Sequence, residues 1–240
     1  MPNDVTESKP NPVEIEGHVF VVTYGRSGST LVQNLLNSIP GYCIRGENNN
    51  ALGPLARSWH NLSGNRVLGN LTRNQVATSA EHPWYGGEQI NAGRFGRSLA
   101  RVFTREILTV PAGTRVTGFK EIRWTDDGAS LPQTLNFLRS FFKNSRFIFN
   151  TRDHDEVARS GWWATMEPAK VKAKLVAAET AYKQYMARRP ENCVHIHYND
   201  YVADHTKLKP MFDLLEEPFD LERVDAVMGR ELMHLKTDKK

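Results

Sequence analysis

This 240-residue chain predicts an α/β fold, in which a central, mostly parallel sheet is flanked by helices. Three observations carry that prediction. Short apolar runs rich in β-branched and aromatic residues recur at 19–22, 42–44, 115–119, 146–150 and 193–197. Segments with helical apolar spacing separate them, so neighbouring strands need crossover connections rather than hairpins. The polar residues most suggestive of chemistry each follow one of those runs. In a parallel sheet this places them together beyond the carboxyl ends of the strands, where ligands bind.

Residues 1–17 are polar and hold three prolines, which reads as a flexible leader. The run Val19-Phe20-Val21-Val22 is a buried strand, and Gly25-Arg26-Ser27-Gly28-Ser29-Thr30 is a tight small-residue turn. Leu31, Val32, Leu35 and Leu36 then set up a helix that Ile39-Pro40-Gly41 stops. A strand at Tyr42-Cys43-Ile44 leads into the polar loop Gly46-Glu47-Asn48-Asn49-Asn50. Residues 51–62 read as a short helix carrying Leu52, Leu55 and Trp59. Residues 63–90 have weak periodicity and read as an irregular insert, of the kind that either covers a substrate or serves as a passive loop.

Leu99, Val102, Phe103 and Ile107 mark a helix over 96–109, and 115–119 is the next strand. Ser130-Leu131-Pro132 is a helix start, followed by an apolar stripe at Leu135, Leu138 and Phe142. The strand at 146–150 runs into Thr151-Arg152, and Asp153 with Glu156 reads as the next helix start, with Ser160 on that helix. A helix over about 168–188 follows from Val171, Leu175, Ala178, Tyr182 and Tyr185, spaced 4, 3, 4 and 3. The last strand, 193–197, precedes two or three short helices. Residues 18–235 therefore read as a single domain, and 236–240 as a flexible tail.

Composition narrows the function classes. A net charge of +4 suits an anionic ligand, yet no Lys/Arg run is dense enough for nucleic acid. Cys43 and Cys193 lie far apart and match no metal spacing, so reduced thiols and no metal site are expected. The sequence shows no signal-peptide pattern and no 18-residue apolar run, which predicts a cytoplasmic protein without a transmembrane segment.

The turn at 25–30 carries the functional signal. A strand, a glycine-containing loop and a helix N-terminus make an anion cradle: backbone N–H groups converge, and the helix dipole favours negative charge. Arg26, Ser29 and Thr30 add side-chain donors. The fold expected around such a loop is a P-loop-NTPase-like three-layer sandwich. The nucleotide-kinase pattern, however, places a Lys before the Ser/Thr, and here Arg26 sits early with no Lys before Ser29 or Thr30. Arg152 at a strand end, with Ser160 eight positions on, is a second candidate anion site.

Together these two elements resemble the sulfotransferase family, which takes its sulfuryl group from 3′-phosphoadenosine 5′-phosphosulfate (PAPS). The resemblance runs over roughly 18–205, with 55–110 unassigned. It implies that Gly25, Arg26, Ser27, Gly28, Ser29 and Thr30 hold the 5′-phosphosulfate, and that Arg152 and Ser160 hold the 3′-phosphate. The segment His197-Tyr198-Asn199-Asp200-Tyr201-Val202 is similar to the family's late strand-then-turn segment. Arg26 becomes a candidate to meet charge on the leaving phosphate, and Lys120, after a strand, to reach the transferring sulfo group. Trp162 is a candidate to stack on adenine or a sugar.

Attack by a hydroxyl needs a base. The resemblance implies Glu47, with His60 and His82 as rivals. It implies in-line transfer from PAPS, without a required metal, to an acceptor hydroxyl on a carbohydrate or glycolipid. A P-loop kinase or other nucleotide-dependent phosphotransferase is the alternative. The oligomeric state stays open, a homodimer included.

Overall fold

A computed structural model describes residues 15–124 and 130–230. The tail at 236–240, most of the leader and Asp126-Asp127, the nearest acids in the sequence to the metal-binding Asp that the kinase alternative would need, lie outside the described residues. Strand β1 is Gly17–Val22, so the leader reading of 1–17 runs one residue too far at its end. Helix α1 is Ser29–Asn37, and β2 is Tyr42–Arg45. Helices α2 (Leu52–Ser63), α3 (Arg66–Asn74) and α4 (Ala92–Phe103) follow, the last continuing as a π-helical turn over Thr104–Leu108. Then come β3 (Val116–Glu121), α5 (Leu131–Phe141), β4 (Ser145–Thr151) and α6 (His154–Ala158). The chain continues with α7 (Pro168–Arg188), β5 (Cys193–His197) and α8 (Tyr198–Ala203), and the last described helices are α9 (Lys209–Leu215) and α10 (Leu221–Met228).

The five strands form one parallel sheet in the order β2-β3-β1-β4-β5. Alternation along β1 divides the core. Phe20 and Val22 face the layer of α2, α4, α5 and α7, while Val19 and Val21 face α1, α9 and α10. Phe20 packs on Phe119 at 5.2 Å and on Phe147 at 5.7 Å, so aromatic rings from three adjacent strands tie the sheet to its first layer. β1 continues by α1 towards β2, on one face, whereas β4 continues by α7 towards β5, on the other. Connections that leave adjacent strands in opposite directions open a crevice at their carboxyl ends.

Two expectations need correction. Residues 63–90 are not wholly irregular: Asn65 caps α3 by accepting from the Leu68 amide at 3.0 Å, and Leu68 and Leu71 are buried. Two buried positions and an internal Gly69 leave too short a stripe to read as a helix. Ser160 is not on a helix. α6 ends at Ala158, and Gly161, at φ 56°, opens a 3-10 turn over Gly161–Thr165 that follows Ser160 directly.

Candidate active site

The loop after β1 is held from below. Thr23 Oγ1 lies 2.6 Å from Ser27 Oγ and donates to the Asn150 carbonyl of β4 at 2.8 Å, while Asn150 Nδ2 donates to the Ser27 carbonyl at 2.9 Å. Ser27 is fully buried in this strut, so its hydroxyl shapes the loop rather than lining the cleft. Above the strut, Gly28 takes φ 81° and no side chain caps α1. Its first-turn N–H groups and the dipole therefore meet the cleft.

That cleft has a volume of about 330 Å³. Gly25, Arg26, Gly28, Ser29, Thr30, Glu47, Lys120, Arg152 and Trp162 all line it, so elements distant in sequence converge as the sheet topology requires. Ser160 joins through Arg26, whose Nε donates to Ser160 Oγ at 2.9 Å. His60, on α2, and His82 do not line this cleft.

At the end of β4 Arg152 is already engaged. Its Nε and one terminal nitrogen bond Glu156 Oε2 at 2.9 and 2.7 Å, and the other terminal nitrogen donates to the Arg26 carbonyl at 3.2 Å. The guanidinium stands 4.2 Å from the Tyr198 ring centre. The ion partner is thus Glu156, one helical turn on. Hydrogen bonding from Arg152 holds the Glu156 carboxyl below its ordinary value.

Across the cleft, Lys120 Nζ donates to Glu47 Oε1 at 2.6 Å, and Arg123 donates to Glu47 Oε2 at 3.0 Å. Partial burial pushes the Glu47 carboxyl up, but hydrogen bonds and charge from Lys120, then Arg123, outweigh it and hold the group below its ordinary value. Arg45 pairs elsewhere, donating to the Leu108 and Thr109 carbonyls.

Tyr198, Arg123 and Glu156 are not among the site residues that the sequence suggests. A signal existed for Tyr198, which directly follows the apolar run 193–197; β5 pairs with β4 so that Thr151 sits opposite His197, which puts Tyr198 beside Arg152. A second groove, of about 550 Å³, shares Gly25, Ile122 and Trp162 with the cleft and extends along Arg123, Trp163 and Met166. Trp162 lies against the Gly25 backbone, and Trp163 Nε1 donates to the Gly25 carbonyl at 3.0 Å.

A parallel sheet flanked by helices, with an uncapped helix N-terminus after the central strand and a cationic strand end beside it, is the architecture of a P-loop-like α/β protein. The sequence profile of the sulfotransferase family matches residues 18–220, and the chain belongs to that family. Membership makes it a PAPS-dependent sulfotransferase, and leaves the kinase reading the weaker one.

Among solved structures, a sulfotransferase domain from the Synechococcus PCC 7002 olefin synthase is similar, with a TM-score of 0.56 at 19% identity, over 93% of this chain and 81% of that one. A sulfotransferase domain from the curacin biosynthetic pathway gives 0.50 at 15% identity, over 91% and 80%. At such identities the likeness is one of fold. No curated protein matches the chain significantly by sequence. No described helix is long and apolar enough to cross a membrane.

Proposed function

We propose that the protein moves the sulfuryl group of PAPS to a hydroxyl of a carbohydrate or glycolipid by in-line displacement, with Glu47 as the base. PAPS supplies an activated sulfuryl group whose departure leaves a nucleotide phosphate, a good leaving group without a metal. The first-turn N–H groups of α1, with Ser29 and Thr30, bind the 5′ anion. Arg26 balances charge on the leaving side. Arg152 and Ser160 bind the 3′-phosphate and set the register of the nucleotide.

The observation that carries this reading is the Lys120–Glu47 contact at the wall of the cleft. A carboxylate within reach of the ammonium that meets the sulfo group is suitably placed to take an acceptor proton. While Lys120 and Arg123 hold it, Glu47 is a weak base. Lys120 turning from Glu47 to a sulfo oxygen restores its basicity. The groove beyond Trp162 admits the acceptor, and indole faces suit the apolar face of a sugar ring.

The test is a panel of glycans and glycolipids incubated with labelled PAPS, alongside thermal shifts with 3′,5′-adenosine bisphosphate (PAP) and with ATP–Mg²⁺. Label transfer to a sugar hydroxyl and stabilisation by PAP are expected. Stabilisation by ATP–Mg²⁺ but not PAP overturns the donor assignment. Transfer confined to phenols or steroids overturns the acceptor class.

A further inference from the structure

Glu121 ends β3 and is only 1% exposed, yet it does not touch the cleft. Its nearest cation, Arg123, stands 3.8 Å away. The carboxylate is satisfied instead by four backbone N–H groups. Oε1 accepts from Ile122 at 2.7 Å and Arg123 at 3.0 Å, and Oε2 accepts from Asn50 at 2.8 Å and Asn48 at 3.1 Å. Four donors fill the acceptor capacity of an ionised carboxylate, which offsets the cost of burying it.

The two pairs of donors belong to two different segments. Asn48 directly follows Glu47, and Ile122 and Arg123 directly follow the Lys120–Glu121 strand end. One buried group therefore ties together both chains that form the Lys120–Glu47–Arg123 ion triad. The Glu47 loop is curled to suit it. Asn49 and Asn50 take successive positive φ values of 56° and 54°, a curl of the kind whose N–H groups converge on an anion. Elsewhere such curls bind ligands; here the anion is supplied from within the chain.

We propose that Glu121 is a positioning residue for sulfuryl transfer: its carboxylate pins the Glu47 loop to the end of β3 and so sets Glu47 against Lys120 and Arg123. Burial and filled lone pairs keep Glu121 from acting on substrate itself. Its catalytic meaning rests on Glu47 being the base; its effect on how Glu47 is paired does not.

Glu121→Gln is the sharpest probe. An amide keeps the shape, but its NH2 cannot accept, so one pair of N–H groups loses its acceptor. With glutamate ¹³C-labelled in the full chain, the Glu47 carboxyl is assigned by its absence in Glu47→Gln and titrated. The expected result is a midpoint that moves up, towards the ordinary carboxylate value, as the pairing slackens. kcat should fall by up to about 10²-fold, as for a misplacement near 1 Å, while the Kd for PAP stays within about twofold.

Acting through Glu47 also predicts that Glu47→Gln/Glu121→Gln is no slower than Glu47→Gln alone. Glu121→Asp keeps the charge one methylene short and should shift the same readouts if the amide variant does not fold. An unmoved Glu47 midpoint overturns the proposal, as do rate losses that multiply in the double variant. Failure of both single variants to fold overturns it too, making Glu121 a determinant of the fold. Full activity of Glu47→Gln removes the base assignment alone, and the Glu47 midpoint still decides whether Glu121 governs its pairing.

Discussion

Lys120 Nζ sits 2.6 Å from Glu47 Oε1, and both groups border the cleft that begins at α1. The base proposed for the acceptor and the cation proposed for the donor thus neutralise each other at rest. Glu47→Gln removes the proton acceptor but keeps the shape, and general-base contributions are of order 10²–10⁴-fold. kcat should fall in that range, with the Kd for PAP changed by less than about threefold. Steady-state rates with calorimetric PAP titration check it, and undiminished turnover removes the base assignment.

The same contact fixes a pH dependence. The folded-state pKa of Glu47 is depressed from 4.5, chiefly because the Lys120 and Arg123 interactions exceed the effect of burial. Stability from these pairs is fully present above the unfolded value and is lost as pH falls through the lower folded value. The acid limb of kcat/KM for the free enzyme should accordingly lie below 4.5. In Lys120→Met it should move up, because the larger of the two opposing partners is gone. A pH–rate series for both proteins checks this, and an unmoved limb would show that Lys120 does not set the Glu47 charge.

Arg152 and Glu156 define a competition. Glu156 occupies two donors of Arg152 that a 3′-phosphate would also seek, and Asn199 Nδ2 steadies its other oxygen at 2.8 Å. Removing the cation in Arg152→Ala should weaken PAP by about 10–10²-fold, the scale of a charge-assisted hydrogen bond of ~1.5–3 kcal/mol. Adenosine 5′-phosphosulfate, which lacks the 3′-phosphate, should be nearly unaffected. Glu156→Gln should tighten PAP instead. Paired titrations of the two ligands decide it, and equal losses for both would place the 3′-phosphate elsewhere.

Much of this site was legible because the sheet is parallel. The five apolar runs place β1, β2, β3, β4 and β5, and residues at or just beyond each strand's carboxyl end lie on one rim; Lys120, expected after its strand, is the last residue but one of β3. That logic brings Gly25, Glu47, Lys120 and Arg152 together without any knowledge of contacts. Partner choice was less legible. Glu156 and Arg123 reach Arg152 and Glu47 by geometry, one helical turn or one strand end away, although Asp153, Asp155 and Arg45 are nearer in sequence. Burial direction was also hidden. Ser27 and Ser29 are both serines of one loop, yet the Asn150 and Thr23 bonds turn Ser27 inward. α3 escaped because its two buried leucines pack locally, on the turn at Gly87, rather than on the sheet.

Gly28 lies between the start of α1 and the Tyr198 ring that faces Arg152. Its φ of 81° lies in the left-handed region, which costs an L-residue about 1–2 kcal/mol. A Cβ there would also come within 2.1 Å of the Tyr198 ring, the same ring that faces Arg152 at 4.2 Å. Gly28→Ala should therefore do two separable things. Backbone strain should lower Tm by about 2–4 °C per kcal/mol for a chain of this size. Displacement of Tyr198 should uncouple Arg152 and weaken PAP by about 10-fold or more. Gly28→Ala/Tyr198→Ala removes the clash and leaves the strain, so it should recover part of the lost Tm. It should not recover PAP affinity, because the ring facing the guanidinium is absent. Thermal unfolding and PAP titration of the single and double variants separate the two effects. If the double variant regains full affinity, Tyr198 is a passive neighbour and the loop alone carries the coupling.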